Sequence, residues 1–277
     1  MAVDDLRDQP PGRQASGLAR RDLAGSLPTW LRVGVEVLAV LALAALAVRV
    51  RHPGRLFTHP FWLDESWVAV STRAPWGQLD MMTSSTPIGW MALLRAVPRW
   101  GDAERYRLLP LAFVVASVVP AWFLGRQLGS ASPWGRWIGP PTAGLAAVLA
   151  PTALGYPYLK QYTAEAFTAL LLVALVVWLE RRWSPGRLGV LALATALSFL
   201  VANTALLVTA AAFGGLALTS LLAGAWRRVG WVAAASAMVA AADLWIYRAF
   251  VEASNSTAMQ RYWKAWYIPT TDGWDHA

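Results

Sequence analysis

The sequence predicts an all-α fold, a polytopic transmembrane helical bundle of about seven spans whose first outer loop carries interfacial helices. Three observations predict it. Of the 277 residues, 57% are hydrophobic and 14% charged, at a mean hydropathy of +0.42, which is more apolar side chain than a soluble domain of this size usually carries. Largely apolar, uncharged stretches recur at 108–125, 137–159 and 188–226, and these approach or exceed the ~20 residues that cross a ~30 Å hydrocarbon core. Arginines gather in alternate connections between such stretches, the asymmetry that orients a membrane protein.

Taken in order, residues 1–30 mix Asp, Arg, Pro and Gly and read as a disordered cytoplasmic tail. The apolar run at 31–50 lacks a small-residue cleavage site and reads as an uncleaved anchor. Residues 51–107 form the longest polar stretch, a first outer loop. Within it, 88–97 is mostly apolar but too short to cross, so an interfacial helix or one packed on the bundle is expected. Further spans are expected at 109–124, 138–156, 164–179, 188–201, 205–222 and 229–250, completing a transmembrane domain over 31–250.

Arg126, Arg136, Arg181, Arg182, Arg187, Arg227 and Arg228 fall in three short connections of one face, which the positive-inside rule makes cytoplasmic. The first loop holds several arginines of its own, but its length lies near the point where that rule loses force. The segment 251–277 is then extracytoplasmic, and it ends polar and Trp-rich without a helix cap, as a truncated chain would.

The net charge of +8 comes almost wholly from Arg, with Lys only at Lys160 and Lys264. That balance suits anionic lipid headgroups or phosphate; no dense basic stripe argues for nucleic acid. With no cysteine, disulfides, thiolate metal sites and Cys nucleophiles are excluded. His52, His59 and His276 show no metal-ligand spacing and read as surface residues.

Three clusters bear chemistry. Asp64 and Glu65 lie in Phe61-Trp62-Leu63-Asp64-Glu65-Ser66-Trp67, where carboxylates beside a membrane are expensive to desolvate. They read as a base or divalent-cation ligand, or as a solvated pair between interfacial Trp anchors. Tyr158, Lys160 and Tyr162 gather before the fourth span with Glu165 at its mouth. They read as a phosphate cradle, or as an aromatic belt with a snorkelling Lys. Arg107 precedes the second span and reads as a phosphate ligand or as a partner of Glu104 or a headgroup. Thr86 and Pro87 read as an acceptor-pocket wall or a plain helix start.

In order and spacing, Asp64-Glu65, Pro87, Arg107 with Pro110, Gly125-Arg126-Gln127-Leu128-Gly129, and Lys160-Gln161-Tyr162 with Ala164-Glu165 resemble the N-terminal half of GT-C fold membrane glycosyltransferases, of the protein O-mannosyltransferase and aminoarabinose transferase type (glycosyltransferase family 39). Thr86 stands where that family often has a basic residue or His, and its members run on through further spans.

The resemblance implies transfer of a sugar from a polyprenyl-phosphate donor to a protein, glycan or lipid acceptor at the outer face of, most simply, the plasma membrane. It implies Asp64 as catalytic carboxylate with Glu65 its partner, Lys160, Tyr162, Arg107 and Tyr158 on the donor phosphate, and Thr86, Pro87 and Glu165 on the acceptor side. A divalent metal at the carboxylate is compatible with it, though no metal ligands are assigned. The alternatives are a transporter, for which Asp243 is the one acid well inside a span, and a non-catalytic membrane protein.

Overall fold

A computed structural model describes residues 28–79, 86–97, 103–132, 134–150 and 159–252, with the single residues 257 and 261. The expected tail, most of the segment after 250, and Tyr158 therefore lie outside the described residues. All regular structure among the described residues is helical.

The chain divides within its first helix into two units, Met1–Leu38 and Ala39–Ala277. That helix, α1, is Thr29–Arg49. In the first unit most of its side chains are exposed, with Trp30 and Leu38 among the largest, as suits a helix solvated by lipid tails.

The second unit begins with the rest of α1 and a four-residue turn, α2 (Pro53–Leu56), followed by α3 (Leu63–Ser71). A short helix, α4 (Ile88–Ala96), then lies against the bundle, with Trp90, Met91 and Leu94 buried. This answers the sequence reading of 88–97 in favour of a packed helix. A 3₁₀ turn, Ala103–Arg107, leads into α5 (Leu108–Gly129), and α6 (Gly135–Leu149) returns beside it. Then come α7 (Tyr162–Arg181), α8 (Pro185–Ser198), α9 (Ala205–Leu222) and α10 (Trp226–Ile246), the last running into a π-helical turn at Tyr247–Val251.

Among the described residues, five helical stretches are long and apolar enough to cross a bilayer: Thr29–Arg49, Arg105–Gly129, Tyr162–Arg181, Ala205–Leu222 and Trp226–Val251. The chain is a helical membrane protein. The stretches expected at 138–156 and 188–201 correspond to α6 and α8, of 15 and 14 residues. At 1.5 Å per residue each is roughly 21–22 Å long, short of a ~30 Å core; residues 151–156 lie outside the described set.

Helix ends follow local chemistry. Ser184 caps α8, its hydroxyl accepting from the Arg187 N–H at 3.2 Å, and Pro185 takes the first turn, where its missing N–H is harmless. The tightest packing joins α5 and α6. A Cβ on Gly125 or Gly139 would strike the other's carbonyl, and so would one on Gly129 or Gly135. Each helix thus offers a Gly-xxx-Gly edge to its neighbour, the device that lets helix backbones approach where no hydrophobic effect draws them together.

Two clusters fill the second unit near the site. One joins Val68, Trp90, Leu94, Tyr106, Leu159 and Ala164, and another packs Ala47 of α1 against Val114, Val118 and Val148.

Candidate functional site

The site grows from the first turn of α3. Glu65, at the third helical position, turns back so that its Oε2 accepts from the Trp62 N–H at 3.0 Å, the reverse arm of a capping box. The same carboxylate meets Arg107 in a fork, with Nε to Oε1 at 3.1 Å and Nη2 to Oε2 at 2.7 Å.

Arg107 is 1% exposed and Glu65 2%. The remaining guanidinium hydrogens go to backbone carbonyls: Nη1 donates to Leu56 and His59, both at 2.8 Å, and Nη2 to Pro60 at 3.2 Å. The guanidinium also lies over the Phe61 ring, 4.9 Å from its centroid. An arginine has five N–H donors, and all five are committed here. Its geometry is that of a strut tying the residue before α5 to the 56–65 segment, with no donor left over for a ligand.

Asp64 points elsewhere, its side chain 55% exposed, and pairs with Lys160 Nζ at 2.7 Å, the lysine being 24% exposed. Lys160 sits just before α7, brought beside α3 because the buried Trp90 donates its indole N–H to the Leu159 carbonyl at 2.7 Å. Trp90 also binds the chain just past α8 through its own N–H, which donates to the Leu200 carbonyl at 3.2 Å, and its ring packs on Phe113. Gly89 makes this approach possible, since a Cβ there would lie 2.6 Å from that carbonyl.

Among the described residues, one cleft of about 620 Å³ is lined by His59, Pro60, Phe61, Trp62, Asp64, Glu65, Arg107, Lys160 and Tyr162. It brings together five of the residues singled out from sequence. Thr86 and Pro87 are buried at the start of α4 and Glu165 is half-buried on the first turn of α7, and none of the three lines the cleft. Trp90 was not legible as a site residue; an apolar helix holding one Trp carries no sign of which carbonyls it will meet. His59, read as a surface residue, is exposed and forms part of the cleft wall.

The two ion pairs differ in kind. The Arg107–Glu65 pair is buried and hydrogen-bonded throughout, so removing one member strands a charge. The Asp64–Lys160 pair is part-exposed, and pairs of that sort are worth little, on the order of 0–1 kcal/mol. It can open. An anion entering the cleft competes with Asp64 for Lys160, and the released carboxylate is then free to accept a proton. No group of three or more His, Asp or Glu side chains is placed to hold a metal among the described residues.

The fold and cleft define a helical membrane protein with an acid–base pair in an aromatic-walled cleft at one end of its bundle. Set against protein-family models, curated proteins and solved structures, the chain matches none of them.

Proposed function

We propose that the chain is an integral membrane glycosyltransferase that moves a sugar from a polyprenyl-phosphate donor to an acceptor at the outer face of the membrane. The observation that carries this reading is the meeting of Asp64 and Lys160 across one cleft. Asp64 takes the proton of the acceptor hydroxyl as its oxygen bonds to the sugar's anomeric carbon. The anomeric carbon–phosphate oxygen bond breaks, and the leaving lipid phosphate gathers negative charge against Lys160 and the Tyr162 hydroxyl. A fixed cation at a low-dielectric boundary stabilises developing charge strongly.

The same reading has seven crossings. The rise of α5 carries the chain roughly 33 Å away from Arg107, yet Lys160 pairs with Asp64, which supports a return crossing that includes α6. Arg181, at the end of α7, bonds Gln127 and Ser130, whereas Leu200, just past α8, receives the Trp90 N–H. That pair of contacts supports α8 as a second return. The arginine-rich connections then lie opposite the cleft, which supports a cytoplasmic side for them and an outer side for the cleft, in the plasma membrane.

The test is sugar transfer by the purified chain in lipid nanodiscs supplied with prenyl-phosphate sugars. Asp64→Asn is expected to remove transfer while leaving the fold intact. Equal transfer by the variant, or none by the unaltered chain with any donor tried, overturns the reading in favour of a non-catalytic membrane protein or a transporter.

A further inference from the structure

The arginine-rich end of the bundle takes no part in the function proposed above. We infer that it carries a binding site for a phospholipid with a dianionic, two-phosphate headgroup, seated between the α7–α8 turn and the start of α10.

The three connections at this end, 126–136, 180–187 and 222–228, hold seven arginines and one acid, Glu180. The fold draws them together. Arg181, closing α7, bonds Gln127 and Ser130 at the end of α5, and the Arg228 guanidinium lies over the Trp183 ring, 5.2 Å from its centroid. Like charges far apart in sequence thus share one surface. Local helix chemistry adds to the imbalance: Arg187 stands in the first turn of α8 and Arg227 and Arg228 in that of α10, and neither turn holds an acid. A helix start carries partial positive charge and disfavours a cation. An anion from outside relieves both kinds of repulsion.

The contacts these arginines already make decide which of them can receive it. Arg181 is tied to α5, and Arg187 donates to the Trp178 carbonyl at 2.8 Å with its guanidinium over that ring. Among the described residues, Arg182, Arg227 and Arg228 are exposed and their side chains make no hydrogen bond or ion pair. The contact with Trp183 steadies Arg228 without committing one of its N–H donors. Each guanidinium can grip two phosphate oxygens at once, so three of them in one corner exceed what a single phosphate neutralises and match two. The exposed indoles of Trp226 and Trp231 beside them put this corner at headgroup level, where Trp gathers, which favours a membrane lipid over an acidic protein.

Native mass spectrometry of the full chain in detergent, with cardiolipin, phosphatidylglycerol or phosphatidylcholine added, counts the lipids retained. One cardiolipin is expected to be held at about a tenth of the concentration that phosphatidylglycerol needs, the gain of a second phosphate against arginine, and phosphatidylcholine is expected to be lost. Arg182→Gln combined with Arg227→Gln is expected to weaken cardiolipin retention by at least about tenfold. Arg49→Gln combined with Arg73→Gln, which removes the same charge from exposed positions elsewhere, is expected to leave it unchanged. Equal retention of cardiolipin and phosphatidylglycerol, or equal loss in the two double variants, overturns the inference in favour of unspecific attraction. Displacement of the lipid by equimolar inorganic pyrophosphate or by polyglutamate overturns it in favour of a soluble diphosphate or an acidic protein. The lipid comparison uses the unaltered chain, so it decides even where a variant fails to fold, and its readout is independent of sugar transfer.

Discussion

Asp64 and Glu65 are neighbours in sequence, but on the first turn of a helix successive side chains diverge by about 100°, and the two end in opposite environments. Glu65 is locked under Arg107; Asp64 stands in the cleft against Lys160. Glu65→Ala is therefore expected to lower unfolding stability by about 3–5 kcal/mol, the penalty for a stranded buried charge, and Asp64→Asn by less than ~1 kcal/mol. Thermal unfolding of both variants in one detergent checks the ordering. Arg51, just past α1, is 6% exposed and donates only Nη1, to the Ala47 carbonyl at 2.6 Å, leaving Nε and Nη2 without partners. Desolvation pulls its pKa down from the ordinary guanidinium value to about 10. A base depressed in the folded state holds fewer protons there than in the unfolded chain between these two values, so stability contributed at this site rises with pH across that window. Arg51→Met is expected to melt higher than the unaltered chain at pH 8, with the gap narrowing as pH climbs past 10.

Among the elements, α5 and α6 depend on four glycines in contact, whereas Gly186, Gly189, Gly214 and Gly215 have open space where a Cβ would go. Gly125→Leu or Gly129→Leu is expected to cost at least about 2 kcal/mol by forcing the pair apart. Gly189→Ala is expected to be neutral or to stabilise by roughly 0.5–1 kcal/mol through helix propensity. Melting temperatures of the three variants decide it. The Gly125-Arg126-Gln127-Leu128-Gly129 string that drew notice in the sequence thus has a packing reason for both of its glycines. On α3, Leu63, Trp67 and Val70 form an exposed stripe at i, i+4 and i+7 while Glu65, Val68 and Ala69 are buried. That is the face an interfacial helix turns toward the headgroup–hydrocarbon boundary.

For the molecule as a whole, sidedness is the consequence that can be measured directly. With no native thiol, Trp62→Cys at the exposed rim of the cleft and Ser132→Cys in the connection between α5 and α6 report the two ends of the bundle. On the orientation proposed above, an impermeant maleimide is expected to label the first in intact cells and the second only after permeabilisation. Labelling of both from one side would contradict the crossing pattern proposed here, and with it the position of the cleft.

The membrane character and the positions of the five long helices were legible from composition and run length, because water-to-lipid transfer acts on each segment by itself. The candidate residues Asp64, Lys160 and Tyr162 were legible too, since charge and hydroxyls are conspicuous in an apolar chain. The identity of contacts was not. Lipid tails are as apolar as leucine, so hydropathy cannot tell a lipid-facing side chain from a packed one. For that reason the anchoring of Leu159 by Trp90 has no signature in the residue order, whereas the glycine seam between α5 and α6 leaves a Gly-xxx-Gly spacing on each helix without saying which partner it meets. Arg107 shows the same divide: its charge before a span suggested a phosphate ligand, and only the fold, by converging five acceptors on one guanidinium, turned it into a strut.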